Sequence, residues 1–359
     1  MMNDMRKIKT IFVGVSGGVD SSVAAALLKE QGHIVVGVFI RTWQPEWMEC
    51  TWRDERRDAM RVCAHLEIPF LECDLTEAYK TGVADYMINE YRSGRTPNPD
   101  VMCNKEVKFG GFLEWAIEHG ADHVATGHYA QIKNDMLVRG VDDSKDQSYF
   151  LWTLTQAQLR HTLFPVGHIP KADTRTLAKK FNLPTATKKD SQGICFIGKV
   201  SMKEFLSHYI DEQPGDVLDT NGNIVGNHLG ALFFTLGERH GFTITEKGTD
   251  DQAMYVISKN IQENTITVAS KAHLEDPKKE NKKNKIQSIN DPGSLFEDNF
   301  SCQAQIRYHG EIKNITFISY NAIRKEAIIE FEKHDATITA GQSVVFYDGE
   351  VCLGGGIVV

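Results

Sequence analysis

Val13-Gly14-Val15-Ser16-Gly17-Gly18-Val19-Asp20-Ser21-Ser22 joins two segments of opposite character. Before it, Ile8 to Val15 is an apolar run that reads as a buried strand. After it, Ser21 to Glu30 reads as a helix, rich in Ala and Leu and followed by Gly32. A glycine and serine turn at such a junction aims backbone N–H groups, and the positive end of the helix dipole, at one point in space. That point suits phosphate. Gly17 and Gly18 permit close backbone approach and positive φ, and Ser16, Ser21 and Ser22 add hydroxyl donors.

The Walker pattern requires a Lys after the glycines, and none is present; the dinucleotide fingerprint GxGxxG does not fit either. The run Ser-Gly-Gly-x-Asp-Ser resembles instead the pyrophosphate loop of enzymes that cleave ATP between the α and β phosphates. Such enzymes adenylate a carbonyl or amide oxygen and let a nucleophile displace AMP. The competing reading is an ordinary tight turn.

A chain of 359 residues implies two or three domains, and 41% apolar with 25% charged residues is ordinary for a globular protein. No apolar run reaches the roughly 18 residues that span a bilayer, and Met1 to Lys9 is too polar for a secretory signal. The cysteines are Cys50, Cys63, Cys73, Cys103, Cys195, Cys302 and Cys352, with no CxxC pair and no zinc spacing, so no metal site is expected. Reduced thiols in the cytoplasm fit this usage. A formal net charge of −8 argues against a uniformly basic nucleic-acid binder but allows a local basic face.

Strand and helix patterns alternate through the first part of the chain. Apolar runs at His33–Ile40, Pro69–Leu75 and Ala121–Thr126 separate helical patterns at Arg53–Leu66, Thr76–Tyr91 and Lys108–His119, with a further short helix at Thr174–Phe181. This order implies an α/β domain with a parallel sheet, its ligands gathered beyond the carboxyl ends of the strands. Tyr91 to Asp100, with two prolines and a glycine, reads as an ordered loop running into Val101-Met102-Cys103-Asn104-Lys105. Short apolar runs split by turns from Gly215 to Val268 suggest a small β-rich domain. Lys271 to Ser294 reads as a polar, lysine-rich linker, and evenly spaced short strands from Cys302 to Val359 suggest a small barrel. The expected domains are 1–208, a catalytic pyrophosphate-loop domain of the adenine nucleotide α-hydrolase-like type; 209–272, the β-rich centre; and 273–359, linker and C-terminal β-barrel.

Cys103 is either a packed small hydrophobe or a reactive thiol favoured by polar surroundings and Lys105. Asp100, three residues earlier, either caps the loop or exchanges a proton with the sulfur. Cys195 has apolar neighbours, as a core strand would, yet follows the flexible Asp190-Ser191-Gln192-Gly193. His128 after Gly127 either meets a ligand or ends a strand. Two thiols on a nucleotide-activating domain suggest sulfur transfer: a persulfide sulfur attacks an activated carbon, and a second thiol cleaves the S–S bond.

Ser16 to Ser22, Gly94 to Asp100 with Cys103-Asn104-Lys105, Ala125 to Tyr129, Lys145 to Phe150, Asp190 to Ile197 and Gly349 to Gly356 together resemble the bacterial tRNA-specific 2-thiouridylases, nearly end to end. The resemblance implies an ATP-dependent transferase that converts the wobble uridine of tRNAs for Lys, Glu and Gln to 2-thiouridine. It implies that Gly14, Val15, Ser16, Gly17, Gly18, Val19, Asp20 and Ser21 hold ATP with Mg2+, completed by Ile40 and Gly127. Cys195 would carry the persulfide, Cys103 would cleave it and form a transient disulfide with Cys195, and Asp100 would act as acid or base. Asn98, Pro99 and Asp100 would meet the target base; His128, Lys145, Asp146, Gln147, Arg307, Tyr308 and Gln342 would contact tRNA. A sulfur-relay protein or cysteine desulfurase would supply the sulfur. Ile40 stands where the family often has Met, and Glu275 to Ser294 is longer and richer in lysine than the family pattern. Arg92, Arg95, Lys105, Lys188, Lys189 and Arg307 could build a local positive face. Three other readings compete: an amide-forming synthetase, a 4-thiouridine-type enzyme, and a tRNA-binding protein that keeps a nucleotide switch. The first and last would not need Cys103 or Cys195.

Overall fold

Runs of Val, Ile and Phe with no polar alternation belong in a sheet covered on both faces, and the first part of the chain has several. A computed structural model describes residues 8–48, 52–189, 200–245, 253–274, 283–332 and 338–359. Strands β1 (Thr10–Gly14), β2 (Ile34–Arg41), β3 (Phe70–Asp74) and β4 (His123–Ala125) are followed by a hairpin, β5 (Ala130–Lys133) with β6 (Met136–Arg139), and by the short β7 (Thr162–Leu163). The order β3-β2-β1-β4-β7 is parallel throughout. Helix α1 (Val19–Glu30) buries Val23, Ala24, Ala25 and Leu28 in one core cluster with Ile11, Val13, Val35 and Phe39 of the sheet. Its small side chains permit that close approach. The charged helix α2 (Trp52–His65) buries only Ala59, Val62 and Cys63. The chain runs from β1 to β3 in one direction and returns to β4 on the other side of β1. The carboxyl end of β1 is therefore the topological switch point, where open α/β sheets bind ligands.

Helix α3 (Thr76–Tyr79) passes through a π-type segment, Lys80–Asp85, into α4 (Tyr86–Arg92). Helix α5 (Pro99–Met102) continues through a second π-type segment, Cys103–Gly111, into α6 (Phe112–Glu118). The loop expected to carry Cys103 is therefore helical from Pro99 onward. Pro99 is tolerated because the first helical position needs no N–H donor. Two short helices, α7 (Gln156–Arg160) and α8 (Lys171–Lys180), complete this part of the chain.

Contacts group the chain into two units: Met1–Ala84, Pro99–Lys199 and Asp348–Gly354 form the first, and Asp85–Asn98, Val200–Tyr347 and Gly355–Val359 the second. These units are discontinuous. Residues 85–98 join the second unit through side chains such as Arg92, which donates to Tyr209 O at 2.8 Å, and through Thr96 N–H, which donates to Ala340 O at 2.8 Å.

After α9 (Met202–Ser207), the second unit forms a five-stranded sheet from β8 (Gly215–Leu218), β9 (Ile224–His228), β10 (Phe242–Ile244), β11 (Met254–Asn260) and β12 (Thr265–Ser270). Val217, Phe234, Val256 and Val268 fill its core. Strands β13 (Lys283–Asn290), β14 (Ser301–Gln305), β15 (Lys313–Asn321), β16 (Glu326–Phe331) and β17 (Ser343–Asp348) follow. The last strand, β18 (Val351–Val358), pairs with β13 and so closes a barrel around Phe296, Phe317 and Phe346. The first residues of β18 pair instead with β6 in the first unit. The stretch read as a linker thus contains a barrel strand; Ile286 and Ile289 are its buried residues. Its residues 275–282 lie outside the described part of the chain.

Candidate active site

At the switch point, Val15 N–H donates to Val38 O at 2.8 Å, and the chain then turns through Gly17 at φ +71° into α1. No side chain caps the first turn of α1, so its N–H groups point out of the helix end. Ser16 N–H and the Ser21 hydroxyl meet at 3.3 Å across the turn. A Cβ on Gly17 would lie 2.6 Å from Glu55 O, and one on Gly127 would lie 2.6 Å from Ser21 N and 2.7 Å from Asp20 C. Gly127, just after β4, therefore packs on the first turn of α1. Ile40 brings its Cδ1 to 3.5 Å from the Cβ position of Gly14. The residues expected to hold the nucleotide, Gly14 to Ser21 with Ile40 and Gly127, thus come together beyond the carboxyl ends of the central strands.

Asp20 is the acidic residue of this loop, and its surroundings come from far along the chain. Tyr129 Oη donates to Asp20 Oδ1 at 2.8 Å, and Lys171 Nζ reaches both carboxylate oxygens at 2.7 and 2.8 Å. Gln147 fixes Tyr129: its N–H donates to Tyr129 O at 2.8 Å, and its side-chain oxygen accepts from Tyr129 N at 2.9 Å. Asp146 is 7% exposed and accepts from Gly140 N, Ser148 N and Ser148 Oγ at 2.9–3.0 Å, shaping the turn that presents Gln147. Asn104, next to Cys103, donates to Phe150 O at 3.0 Å. A chain of hydrogen bonds and short backbone links therefore runs from the Cys103 helix through residues 147–150 and Tyr129 to Asp20.

Cys103 opens the π-type segment and is fully buried. Lys105 does not face it. Residues two apart on a helix point to different sides, and the exposed Lys105 ammonium pairs with Glu106 at 2.8 Å. The polar loop environment expected for this thiol is thus replaced by a packed helix. Half-buried Asp100, three residues before Cys103 on the same continuous helix, shares its face. Cys195 and all of residues 190–199 lie outside the described residues, as does Cys50. The chain leading there is fastened to the loop: Thr185 Oγ1 donates to Ser22 Oγ at 3.1 Å, and Lys188 Nζ reaches Gly17 O at 3.0 Å and Asp58 at 2.8 Å. Burial raises the pKa of the neighbouring Glu55 carboxyl, against the pull of Lys188.

A profile described as a tRNA methyl transferase HUP domain matches residues 9–199, a companion PRC-barrel profile matches 203–270, and an aminomethyltransferase β-barrel profile matches 278–358. The tRNA-specific 2-thiouridylase MnmA of Oceanobacillus iheyensis is 44% identical over 97% of this chain and 94% of its own length; that of Streptococcus sanguinis is 42% identical over 99% and 96%. The chain belongs to the tRNA-specific 2-thiouridylase family. Among solved structures, the U34-tRNA thiolase NcsA of Methanococcus maripaludis overlaps it loosely, with a TM-score of 0.36 at 20% identity over 56% of this chain and 63% of the other.

In this family member, several residues read as tRNA contacts turn inward. His128 is 8% exposed, with Nδ1 2.7 Å from Thr126 Oγ1, Nε2 3.4 Å from Lys108 Nζ, and its ring among Phe109 and Phe164. Burial, aided by Lys108, holds its pKa well below the usual imidazole value. Its neutral form is therefore the folded form. As pH falls below about 6.5, the unfolded chain takes up a proton that the folded chain refuses, so stability falls by at most about 1.4 kcal/mol per pH unit from this one group. Thermal melts between pH 7.5 and pH 5 test this, each pH being a chosen condition about the reference imidazole value. His128→Gln should give a shallower loss than the parent, and an equal slope would reject it.

In the second unit, Arg307 and Tyr308 follow β14 and Gln342 precedes β17; because Gln305 faces Val345 in that antiparallel pair, all three sit at one end of the barrel. Arg307 Nη2 donates to Leu236 O, Tyr308 packs on His309 at 3.9 Å, and Gln342 accepts from Thr339 N at 3.1 Å. Of the six basic residues expected to form a positive face, Arg95 pairs with Glu90, Lys188 with Asp58 and Lys105 with Glu106, while Arg92 donates to Tyr209 O and Arg307 to Leu236 O. Tyr129 and Lys171 were missed by sequence reasoning. Tyr129 sat in a quoted motif without a role, and Lys171 gave no local signal at all, being 151 residues from its partner. Among the described residues, no helix is long and apolar enough to cross a membrane. No group of three or more His, Cys, Asp or Glu among them is placed to hold a metal ion.

Proposed function

We propose that this chain binds ATP on the Gly14–Ser21 loop and adenylates the wobble uridine of tRNAs for Lys, Glu and Gln. It then replaces the activated oxygen with sulfur. The observation that carries the reading is the hydrogen-bonded path between the two halves of that chemistry: Asn104 to Phe150, Gln147 to Tyr129, Tyr129 to Asp20. A buried cysteine helix and an open helix end suited to phosphate are thereby joined within one unit of the chain.

The uridine O2 attacks the α-phosphorus of ATP, and pyrophosphate leaves. The terminal sulfur of a Cys195 persulfide attacks C2 and displaces AMP. Cys103 Sγ then attacks Cys195 Sγ, forming the Cys103–Cys195 disulfide and leaving the sulfur on C2; an external thiol reduces the disulfide for the next turn. Asp100, on the face of Cys103, accepts the thiol proton. Asp20 is the loop carboxylate that would hold Mg2+ arriving with the nucleotide, and the ion would supply charge neutralisation of the phosphates. Lys188 stands seven residues before Cys195.

Asn98, Pro99 and Asp100 meet the target base. Unstacking a base from an anticodon loop costs only a few kcal/mol. Lys145 in the first unit, and Arg307, Tyr308 and Gln342 in the second, contact tRNA; His128, Asp146 and Gln147 lie inward in the first unit and support it from within. A sulfur-relay protein or cysteine desulfurase supplies the persulfide, and the work takes place in the cytoplasm.

Unthiolated tRNA incubated with the protein, Mg-ATP and a persulfide donor, then digested for nucleoside mass spectrometry, is the test. The expected result is 2-thiouridine with one AMP and one pyrophosphate for each sulfur. AMP without sulfur would favour an amide-forming ligase, and neither product would favour a tRNA-binding protein.

A further inference from the structure

Within the second unit, the connection that leads into β10 is held closely. Thr235 to Glu238 form a tight turn: Glu238 N–H donates to Thr235 O at 3.1 Å, and Gly237 takes φ +83°. Gly237 N–H donates to Val256 O at 2.7 Å and Val256 N–H to Glu238 O at 2.9 Å, so the turn lies on β11. Lys259, further along β11, donates from Nζ to Phe234 O at 2.7 Å. Two more contacts tie the turn to residues that the proposed function gives to tRNA. Thr235 Oγ1 lies 3.2 Å from Oγ1 of Thr96, two residues before Asn98, and Leu236 O accepts from Arg307 Nη2. Arg239 and His240 follow the turn, and both are exposed. Arg239 Nε donates to His240 Nε2 at 3.0 Å, so two basic heads stand side by side. Their neighbour Glu238 is turned inward. Its Oε2 accepts from Thr235 N–H at 3.0 Å, and burial raises its carboxyl pKa against the pull of Lys259, His240 and Lys203. One half-buried carboxylate is thus ringed by basic groups, and Arg239 adds another. The Arg239 backbone lies within about 11 Å, three residues of extended chain, of Leu236, where Arg307 is anchored. Such clustering of positive charge on a surface suits a polyanion.

We propose that Arg239 is a further tRNA-binding residue, its guanidinium taking a backbone phosphate of the anticodon arm beside Arg307, with His240 as the positioning residue that holds it. The proposal rests on the reading of Arg307 and Asn98 as tRNA contacts and extends that surface onto the turn before β10. A guanidinium carries five N–H donors in a fixed fork. The donor on Nε goes to His240, which sets the plane of the fork, and the Nη side suits the oxygens of a phosphate. A phosphate contact positions the RNA and reads no sequence. The effect of Arg239 is therefore the same on tRNAs for Lys, Glu and Gln.

Fluorescence anisotropy of an unmodified tRNA transcript for Lys, titrated with the full chain at several salt concentrations, tests the assignment. Arg239→Gln should weaken binding by about tenfold, the loss of a charge-assisted hydrogen bond. It should also flatten the slope of log affinity against log salt by about 0.7–0.9, the share of one phosphate contact. Arg239→Lys keeps the charge without the fork, so it should hold the parent slope at a lower affinity. His240→Ala should fall between the parent and Arg239→Gln. Arg324→Gln is the control. Arg324 is exposed in the loop joining β15 to β16, and because β14 and β15 are antiparallel this loop lies at the barrel end away from Arg307. It should leave the slope of the parent. If Arg324→Gln flattens the slope as much as Arg239→Gln, net charge alone is being read and the proposal falls. If Arg307→Gln weakens tRNA and Arg239→Gln does not, the Arg307 reading stands, the proposal falls, and the turn is left to a protein partner. A loss at Arg239 in a protein that binds tRNA without thiolating it would sustain the assignment and reject the function. A parent protein that binds no tRNA would reject both.

Discussion

Cys103→Ser should abolish 2-thiouridine formation, lowering the rate by at least about 1,000-fold, the scale on which loss of a nucleophile is felt. AMP and pyrophosphate should still form, because adenylation precedes any sulfur step. The comparison that gives this weight is with the other buried cysteines. Burial pushes the Cys73 thiol up to about 12, with Asp74 adding to the shift, and the Cys63 thiol up to about 11. Burial likewise takes Cys352 up to about 12. None of these forms a useful thiolate at neutral pH. Cys63→Ala, Cys73→Ala and Cys352→Ala should therefore leave the thiolation rate within about twofold of the parent, though each removes buried volume and lowers the melting temperature. Mass spectrometry of the tRNA nucleosides, run beside an AMP assay for each variant, reads both steps. A Cys103→Ser enzyme that still thiolates would return Cys103 to the packing role that its burial also allows.

The second large effect is expected at Gly127. A methyl group there would meet backbone, Ser21 N at 2.6 Å and Asp20 C at 2.7 Å, so Gly127→Ala must push the first turn of α1 away from β4. Overpacking of this kind costs about 1–3 kcal/mol, and here it displaces the N–H groups meant for phosphate. ATP affinity should fall by about 100-fold or more, the loss of two or so charge-assisted hydrogen bonds. Gly14→Ala is the control. Its nearest neighbour is Ile40 Cδ1 at 3.5 Å, an ordinary contact, so its stability should change by less than about 1 kcal/mol. Melting temperature and ATP titration on both variants decide the matter. Unchanged ATP binding in Gly127→Ala would remove Gly127 from the nucleotide site.

Local features of this fold were legible in the sequence and distant ones were not. Strand, loop and α1 could be read because Thr10 to Glu30 is continuous and its hydrophobic pattern changes once, at the glycines. Ile40 and Gly127 could be placed because each ends or follows a parallel strand beside β1. The start of the helix that carries Cys103 was hidden by Pro97 and Pro99, residues that ordinarily break helices; here Pro97 precedes the helix and Pro99 occupies its first position. Strand β13 was hidden because Lys283, Lys285 and Gln287 outweigh Ile286 and Ile289 in any measure of polarity, although those two alone fill the barrel side. Residues 85–98 gave no sign that they pack in the second unit, since Tyr91 and Thr96 find their partners more than a hundred residues later. The pairing of Lys171 with Asp20 belongs to the same class: no periodicity encodes it, only the folded arrangement.

The final strand bears on how the protein is made. Val351 and Cys352 complete the hairpin of the first unit, and Gly355, Ile357 and Val358 close the barrel of the second. Synthesis runs from the amino end, and domains fold as units while the chain emerges. Neither unit of this chain can do so to completion before β18 has emerged, because each takes a share of that strand. A nascent chain halted before Val351 would carry an unfinished hairpin and an open barrel with bare strand edges, a state prone to pairing with other chains. Until β18 emerges, quality control on the ribosome would thus meet neither unit in its completed form.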